Sequence, residues 1–466
     1  MAGTEFKILE IDYSKKLSEC KSGLIVANRD KRILLVEIPK LCEKEKIFFE
    51  KVLEEMRHIG KAVISKADVY FFLKEYCLEN MVLLNKTQRE NIMTLLEWES
   101  IGESILTPLL IDPDFEEIVI NGPKKPIMVY HVTFGWLTTN ITFENEDKIR
   151  TIINKMAAPL GRQLAFNSPM LNAVLRDGSR LNASMNPVAF SGINATIRKF
   201  KENPFTPADL SGMDTISKEA MAFLWMAMQT SSSILICGNT GSGKTTTLNA
   251  LFCFLPKHER IVVAEETPEL LLPQNHTIKL NTAEQMKITL GTLIENTFRM
   301  RPDRVIVGEI RTRDEASAFI NTMLAGQAKG SYATFHAESS KEAIQRMISF
   351  GIGEDVLESL DLIVVQKRIS LIEDGARKEE RKVTEICEIE KEKSRIVAKK
   401  LFEYDYHTKQ LRKIGESKRM LEKMQRTFGC GKSQIEKLTL EKKVLLEKLN
   451  GVAKFREFFE LAEMEN

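Results

Sequence analysis

The spacing of apolar residues divides the first half of the chain into three regions. From about residue 40 to 105 they recur at helical intervals, as in IFFEKVLEEM, which predicts a helical N-terminal region over 1–105. After Thr107, short apolar runs such as EEIVING and PIMVYH are bounded by Gly, Pro and Asn, and they predict a strand-rich domain over 106–203. The stretch KENPFTPADLSG carries two prolines and a glycine, which predicts a linker at 204–214.

In residues 215–410, apolar strand candidates alternate with helical segments. The candidates SILIC, IVVA, VIVG and SYATF are separated by helices, one of them around Thr289 to Arg299. Such alternation is typical of βαβ units in a mainly parallel sheet, so we expect an α/β domain. After about Glu390 the chain becomes helical and heavily charged, which predicts a helical C-terminal tail over 411–466. We expect solvated helices packed on the domain, with a partner-docking role as the alternative.

Size and charge narrow the class of protein. At 466 residues the chain exceeds one ordinary hydrophobic core, so two or three domains are expected. An apolar share of 43% beside 28% charged residues belongs to a soluble globular protein. The 67 Lys and Arg residues nearly balance the 65 Asp and Glu residues. This argues mildly against nucleic acid as the main partner, because no global basic field attracts phosphate.

The start of the chain and the cysteines narrow the class of protein further. MAGTEFKILEIDYSKK lacks the apolar core of a secretory signal, and no uncharged stretch of the sequence is long enough to span a bilayer. We therefore expect a cytoplasmic protein. The seven cysteines, from Cys20 to Cys430, contain no CxxC pair, so the sequence predicts neither a zinc ribbon nor a disulfide framework.

The segment GNTGSGKT lies between a predicted strand, SILIC, and a predicted helix. This is the GxxxxGK(S/T) phosphate-binding pattern in its required context. Its glycines let successive amides point inward at phosphate oxygens, and the helix that begins near Lys244 adds its positive end. Lys244 is expected to reach the β and γ phosphates, while the Thr245 hydroxyl ligates Mg²⁺. The predicted ligands are ATP and Mg²⁺, bound by Gly238, Asn239, Thr240, Gly241, Ser242, Gly243, Lys244, Thr245 and Thr246.

Polar residues directly follow three further strand candidates. Glu265 and Glu266 follow IVVA, Glu309 follows VIVG, and His336 follows SYATF. Ligands of open α/β sheets bind at the carboxyl ends of the strands, so we expect these side chains to gather at the edge that carries GNTGSGKT. Glu309 takes the place of a Walker B acid, which helps to hold Mg²⁺ or orients the attacking water.

Each of these assignments has a structural alternative. In that alternative, Glu309 only forms an ion pair with Arg311 or Arg313. At most one of the two adjacent glutamates after IVVA needs to be catalytic, and the other then caps the turn that follows. A lone histidine is more often structural than functional, so His336 is a catalytic candidate because of its place after a strand.

Longer segments of the chain are similar to a known family. TFRMRPDRVIVGEIRTRDEA, with GSYATFHAESSKEAIQRM after it and RIVVAEETPEL before it, resembles secretion and pilus motor ATPases of the GspE and PilT kind. Their Walker A, acidic, Walker B and histidine boxes occur here in the same order. The similarity extends upstream through LLIDPDFEEIVING, GRQLAFNSPM, RDGSRLNAS and ATIRKF, and covers about 105–390. It implies a PAS-like N-terminal domain, a RecA-like P-loop ATPase domain, ATP between the two, and a ring of six subunits.

The same resemblance implies partners and four arginines of the site. Such a ring passes its motion to a polytopic membrane platform protein at the inner face of the cytoplasmic membrane, and so assembles pilin-like subunits or exports proteins. Direct binding of nucleic acid is not expected. Arg180 and Arg198 match arginines that reach the phosphates from the N-terminal domain, and Arg299 and Arg301 match basic positions close to the nucleotide. The alternative for each is an arginine at the surface or one that stabilises the fold.

The chain departs from the family pattern at three points. Glu266 stands where aspartate is more usual, and Gln327 stands where histidine is common. The four-cysteine zinc module of many bacterial members is missing, and with the helical tail this resembles the archaeal branch, which includes archaellum and archaeal pilus ATPases. Three functions stay open: a motor ATPase for pilus, archaellum or secretion machinery, a nucleic-acid translocase of a DNA-transfer machine, and a module that binds ATP without hydrolysing it.

Overall fold

The computed structural model describes residues 6–464 except 29–30, 59–64, 201–202, 284–285, 327, 374–375, 393–394 and 453. Gln327, one of the departures from the family pattern, therefore lies outside the described residues. The chain consists of two compact units, an N-terminal unit, Met1–Lys201, and a C-terminal unit, Glu202–Asn466. Each unit is built around one large sheet.

The N-terminal unit contains a mixed sheet of ten described strands. They are β1 (Phe6–Ile8), β2 (Lys15–Cys20), β3 (Gly23–Asn28), β4 (Lys31–Val36), β5 (Phe115–Ile120), β6 (Pro126–His131), β7 (Gly135–Phe143), β8 (Met170–Val174), β9 (Arg180–Ser184) and β10 (Asn194–Arg198). Their order is β2-β3-β4-β7-β6-β5-β10-β9-β8, with β1 paired to β7. The β4–β7 pair is parallel and the other pairs are antiparallel. The helices of this unit are α1 (Glu43–His58), α2 (Lys66–Glu79), α3 (Lys86–Ser100), α4 (Thr107–Ile111) and α5 (Glu146–Ala157).

The expectation of a helical region over 1–105 is wrong for its first part. Strands β1 to β4 occupy stretches of residues 6–36, and α1 to α3 follow over 43–100. The runs GLIVAN and KRILLV explain the difference, because Ile25 and Leu34 are fully buried in the same core as the later strands. Short β-branched runs of this kind are stabilised by packing on a sheet rather than by local periodicity.

The C-terminal unit contains a sheet of nine described strands. They are β11 (Ile234–Cys237), β12 (Ile261–Glu265), β13 (Thr277–Asn281), β14 (Arg304–Ile310), β15 (Gly330–Phe335), β16 (Leu362–Glu373), β17 (Ala376–Glu392), β18 (Arg395–Asp405) and β19 (Gln410–Lys413). The helices are α6 (Pro207–Gly212), α7 (Lys218–Met228), α8 (Lys244–Leu251), α9 (Leu290–Thr297), α10 (Arg313–Leu324), α11 (Ser340–Ser349), α12 (Glu354–Leu357), α13 (Lys418–Phe428), α14 (Lys432–Lys448) and α15 (Phe455–Met464).

The predicted α/β class is confirmed by the order of these strands, β13-β12-β14-β15-β11-β16-β17-β18-β19. From β13 to β16 all pairs are parallel. Side chains of β11 alternate between two cores, with Ile234 and Ile236 in one and Leu235 and Cys237 in the other. Helices therefore cover both faces of the sheet, which explains why its parallel strands are continuous apolar runs.

Two expectations for this unit are wrong. The chain after about Glu390 does not become helical at once, because β17 extends to Glu392 and the antiparallel strands β18 and β19 follow. Buried Ile386 and Ile389 hold the charged sequence of β17 in the sheet. The expected linker at 204–214 contains α6, whose first turn is fixed by a capping box between Thr206 and Asp209.

The tail helices pack on the C-terminal unit. The carboxylate of fully buried Glu388 accepts hydrogen bonds from the backbone amides of Lys418 and Met420, which lie in the first turn of α13. A second contact fixes the same helix: Lys423 Nζ donates a hydrogen bond to the carboxylate of Asp361, the residue before β16, at 2.7 Å. Phe458 of α15 is fully buried in the same core as Leu248 and Leu251 of α8. These contacts agree with the expectation that the helices of the tail pack on the domain.

Candidate functional site

The glycine-rich segment forms a tight loop between β11 and α8. Lys244 Nζ folds back and donates to the carbonyl oxygens of Gly238 and Asn239 at 3.0 and 3.2 Å. At Gly238 a Cβ atom would lie 2.1 Å from the carbonyl oxygen of Gln366, so no larger residue fits there. Gly243 has φ of 95° and precedes α8 without a side chain to cap it. The first amides of α8 are thus left for a ligand.

The other predicted residues of the loop differ in exposure. Asn239 and Thr240 are exposed, whereas Ser242 is fully buried and its Oγ has no hydrogen-bond partner among the described residues. Thr245 and Thr246 are half-buried in the first turn of α8. Their predicted contacts with ATP and Mg²⁺ stay predictions.

The structure brings Lys244, Glu309 and His336 together at the carboxyl ends of the strands. Glu309 Oε1 lies 3.6 Å from Lys244 Nζ and 2.8 Å from His336 Nε2. These side chains come from α8, β14 and the residue after β15, and Lys244 is only 7% exposed. Three segments that are distant in sequence therefore meet at one point, as the strand order predicts.

The electrostatics keep Glu309 ionised. Burial opposes its charge, but the hydrogen bond and charge of Arg311, together with the charge of Lys244, lower its pKa overall. Burial, with the charge of Lys244, lowers the pKa of His336, which favours the neutral imidazole beside Glu309. Burial also lowers the pKa of Lys244, which Glu309 partly opposes.

The structure contains the contacts expected from both interpretations of Glu309, as a Walker B acid and as a partner in an ion pair. Arg311 Nε donates to Glu309 Oε2 at 2.7 Å, whereas Arg313 lies against Gly351. Arg311 also forms an ion pair with exposed Glu266. Glu309 therefore forms an ion pair with Arg311 and also lies beside Lys244. The ion pair does not exclude the position that a Walker B acid needs.

Glu265 has a different environment from its neighbour. It is 2% exposed, and its Oε1 accepts hydrogen bonds from the amides of Glu269 and Leu270 at 3.0 and 3.2 Å. Of the two adjacent glutamates, Glu265 is therefore the one that caps the following turn. Its Cγ lies 3.0 Å from the place of a Cβ on Gly308, so the glycine before Glu309 allows this close packing. Burial raises the pKa of Glu265 to about 7.

This raised pKa predicts a pH dependence of stability. The folded state binds the Glu265 proton more tightly than the unfolded state, so the stabilisation is present below about pH 4.5 and is lost as pH rises through 7. We expect the free energy of unfolding of the wild type, relative to Glu265→Gln, to fall by about 1–3 kcal/mol between about pH 5 and pH 8. Urea unfolding in magnesium-free buffer measures this, and a difference that is independent of pH would contradict the raised pKa.

Arg299 and Arg301 are not beside the loop of their own chain. Both precede β14, whose seven residues separate them from its carboxyl end by roughly 20 Å. Arg301 instead lines a cavity of about 750 Å³ at the amino ends of the strands, together with Arg260, His276 and Lys329. The prediction that the two arginines lie close to the nucleotide is therefore wrong for a nucleotide bound by the same chain, because nearness in sequence to a Walker B strand does not tell which end of the strand a residue occupies.

Arg180 and Arg198 are neighbours within the N-terminal unit. Arg180 begins β9 and Arg198 ends β10, and the two are direct partners across these antiparallel strands. Arg198 is exposed and Arg180 is half-buried. Their role towards the phosphates stays a prediction.

Sequence reasoning missed three residues that contact the glycine loop. Gln366 of β16 is 1% exposed and its Oε1 accepts a hydrogen bond from Thr247 Oγ1 at 2.7 Å. Arg381 of β17 donates from Nε to the carbonyl oxygen of Gly241 at 3.1 Å, and Arg368 lies close to the same glycine. The sequence does contain one signal for Gln366, which directly follows the apolar run LIVV. A polar residue in such a position usually has a specific hydrogen-bond partner.

The donors suit a magnesium ion that is held mainly through phosphates. Among the described residues no group of three or more His, Cys, Asp or Glu side chains could hold a metal by itself. The Thr245 hydroxyl and the Glu309 carboxylate are oxygen donors of the kind that Mg²⁺ prefers when substrate phosphates complete its coordination.

Within the described part of the chain, the helices are too short or too polar to cross a lipid bilayer.

Comparison with known proteins places the chain in a family. A model of the family described as type II/IV secretion system protein matches residues 99–449. Two uncharacterized proteins of Methanocaldococcus jannaschii are each 33% identical, over 79% of this chain and 67% of the first relative, and over 68% of this chain and 46% of the second. The chain thus spans about half the length of the second. The type IV secretion system protein VirB11 of Bartonella henselae is 29% identical over 52% of this chain and 78% of VirB11. Because the family model covers most of its residues, the chain belongs to the type II/IV secretion system protein family.

Proposed function

We propose that this chain is an ATPase that hydrolyses ATP at the loop between β11 and α8. The observation that carries the proposal is the 3.6 Å distance between Lys244 Nζ and Glu309 Oε1, at the edge of the sheet where ligands of such folds bind. Phosphoryl transfer needs these two groups together, one to hold the terminal phosphates and one to orient water.

Each residue of the cluster has a distinct task in this proposal. The glycine loop and the first amides of α8 bind the phosphates, and Lys244 exchanges its carbonyl partners for phosphate oxygens. Glu309, kept ionised by its neighbours, accepts a hydrogen bond from the attacking water and orients it. Neutral His336 holds Glu309 in place through the 2.8 Å contact. When bound, Mg²⁺ adds positive charge against the developing negative charge on the phosphates, with Thr245 and Glu309 as its candidate ligands.

The larger assembly belongs to the same proposal. The chain forms a homohexamer of PAS-like and RecA-like domains, acts at the inner face of the cytoplasmic membrane, and transmits motion to a polytopic platform protein. Assembly of pilin-like subunits or protein secretion is the output. The family membership supports this, as do the name of VirB11 and the relatives from an archaeon, which fit the archaeal branch.

Arg180 and Arg198 are proposed to reach the phosphates in the assembled ring. Because such guanidinium groups stabilise charge that develops during transfer, Arg180→Ala or Arg198→Ala is expected to lower turnover by roughly 10²-fold or more, with a smaller loss of ATP affinity. Steady-state ATP turnover and ATP binding at matched protein concentration measure the two effects. Unchanged turnover of both variants in an assembled ring would exclude this role.

One experiment tests the proposed class. ATP turnover of the full chain is measured alone, with anionic lipid vesicles, and with single-stranded or double-stranded DNA. A motor that works at a membrane is expected to be stimulated by vesicles and not by DNA. Stimulation by DNA would instead support the translocase, and zero turnover of the assembled protein under all conditions would support a module that only binds ATP.

A further inference from the structure

The hairpin of β16 and β17 lies beside the glycine loop, on the side away from Glu309. In the sheet β11 stands between β15 and β16, so β14 and β15 deliver Glu309 and His336 to one side of the loop. On the other side, Gln366 contacts Thr247 and leaves no room for a side chain at Gly238. The loop is thus enclosed between an acidic side and this hairpin.

The hairpin presents two arginines to the loop. Arg368 and Arg381 are direct partners across the two strands. Arg381 Nε donates to the carbonyl oxygen of Gly241 at 3.1 Å, and Arg368 Nη1 is 3.8 Å from the place of a Cβ on Gly241. The register of the hairpin shifts between Val365 and Gln366, just before these arginines. Such irregularities occur beside active sites, where they re-aim side chains.

The two arginines lie close together, and an acidic side chain is beside them. Two like charges in direct cross-strand positions are unfavourable unless another charge compensates them. Glu379 forms an ion pair with Arg368, and Arg381 contacts the carbonyl oxygen of Gly241. The Arg368 side chain is 36% exposed and can reach a ligand at the rim of the loop.

We propose that Arg368 and Arg381 bind the nucleotide of their own chain at its α-phosphate. This inference rests on the proposed ATPase function. Lys244 and Glu309 define the end of the site that receives the γ-phosphate. Because a triphosphate is extended, its α-phosphate lies further from Glu309, towards the hairpin. Guanidinium groups match phosphate oxygens with paired donors, and they do so here without a second subunit.

The test is ADP binding to the full chain, measured by calorimetry with Mg²⁺. Arg368→Ala and Arg381→Ala are each expected to weaken ADP binding at least tenfold, since each loses a charged phosphate contact. ATP is expected to lose the same factor, so that the ratio of ATP to ADP affinity is unchanged. Arg381→Lys, which keeps the charge, is expected to recover part of the affinity. Lys367→Ala, the residue next to Arg368 on the opposite face of β16, is the matched control and is expected to bind ADP as the wild type does.

The outcomes separate this inference from the proposed function. Wild-type ADP affinity in both alanine variants would overturn the inference while leaving the ATPase proposal intact. A loss confined to ATP would place the arginines at the γ-phosphate and contradict the assignment. If the wild-type chain itself binds no ADP, both proposals fail. Thermal unfolding without nucleotide checks that the variants are folded, because Arg381 also supports the loop through Gly241.

Discussion

Replacing Lys244 with alanine is expected to reduce ATP turnover by at least roughly 10³-fold and to weaken ADP binding at least tenfold. The ammonium group donates to two carbonyl oxygens of the loop, so its charge lies where the phosphates are expected to bind. Its loss removes the donor from the carbonyl oxygens of Gly238 and Asn239 and leaves Glu309 to repel the phosphates. Steady-state turnover and calorimetric ADP binding measure the two losses.

Lys257→Ala is the control for this prediction. Lys257 is an exposed lysine in the loop after α8, remote from the carboxyl ends of the strands, and its truncation is expected to leave both quantities at wild-type values. Full activity of Lys244→Ala would mean that the phosphates bind elsewhere.

Replacing Glu309 with glutamine is expected to leave ATP bound but to lower its turnover by roughly 10²- to 10⁴-fold. The amide keeps the shape of the carboxylate and can still contact His336, but it is a poor acceptor for the proton of an attacking water. It also frees Lys244 from its 3.6 Å ion pair, which favours retention of the anionic substrate. Single-turnover hydrolysis and ATP binding in the same variant separate chemistry from affinity.

Glu295→Gln, on the exposed surface of α9, serves as the matched control and is expected to hydrolyse ATP at the wild-type rate. A rate near the wild type for Glu309→Gln would transfer the water-orienting task to Glu265 or Glu266. Between these two, the turn contacts of Glu265 and the surface ion pair of Glu266 predict smaller effects than those of Glu309.

The centre of the site could be predicted from sequence because its geometry is local or follows from strand direction. Spacing alone fixes the glycine loop before α8, since each residue type has one backbone or ligand task. The meeting of Glu309 and His336 with Lys244 follows from the rule that parallel strands end at one edge.

The hairpin contacts could not be predicted in the same way. They depend on β16 being the neighbour of β11, which is a property of the whole sheet. Nothing near Arg368 or Arg381 in the sequence states which strand will stand beside theirs. The misplacement of Arg301 has a related cause, because the segment before a strand and the segment after it lie at opposite edges.

The strands that were missed share a physical feature. In β17 the charged residues of KEERKVTEICEIEKE obscure the apolar positions, although Val383, Ile386 and Ile389 are buried. Its pattern is interrupted by a register shift at Ile386. A strand that is half charged and irregular provides no clear period, so tertiary packing decides its conformation.

A crystal structure with a non-hydrolysable ATP analogue and Mg²⁺ tests the central claim most directly. The account predicts the terminal phosphates within hydrogen-bond distance of Lys244 Nζ, with the Glu309 carboxylate facing the γ-phosphate from the strand edge. A triphosphate bound away from the loop, or one whose γ-phosphate points from Glu309 towards the hairpin, would contradict it.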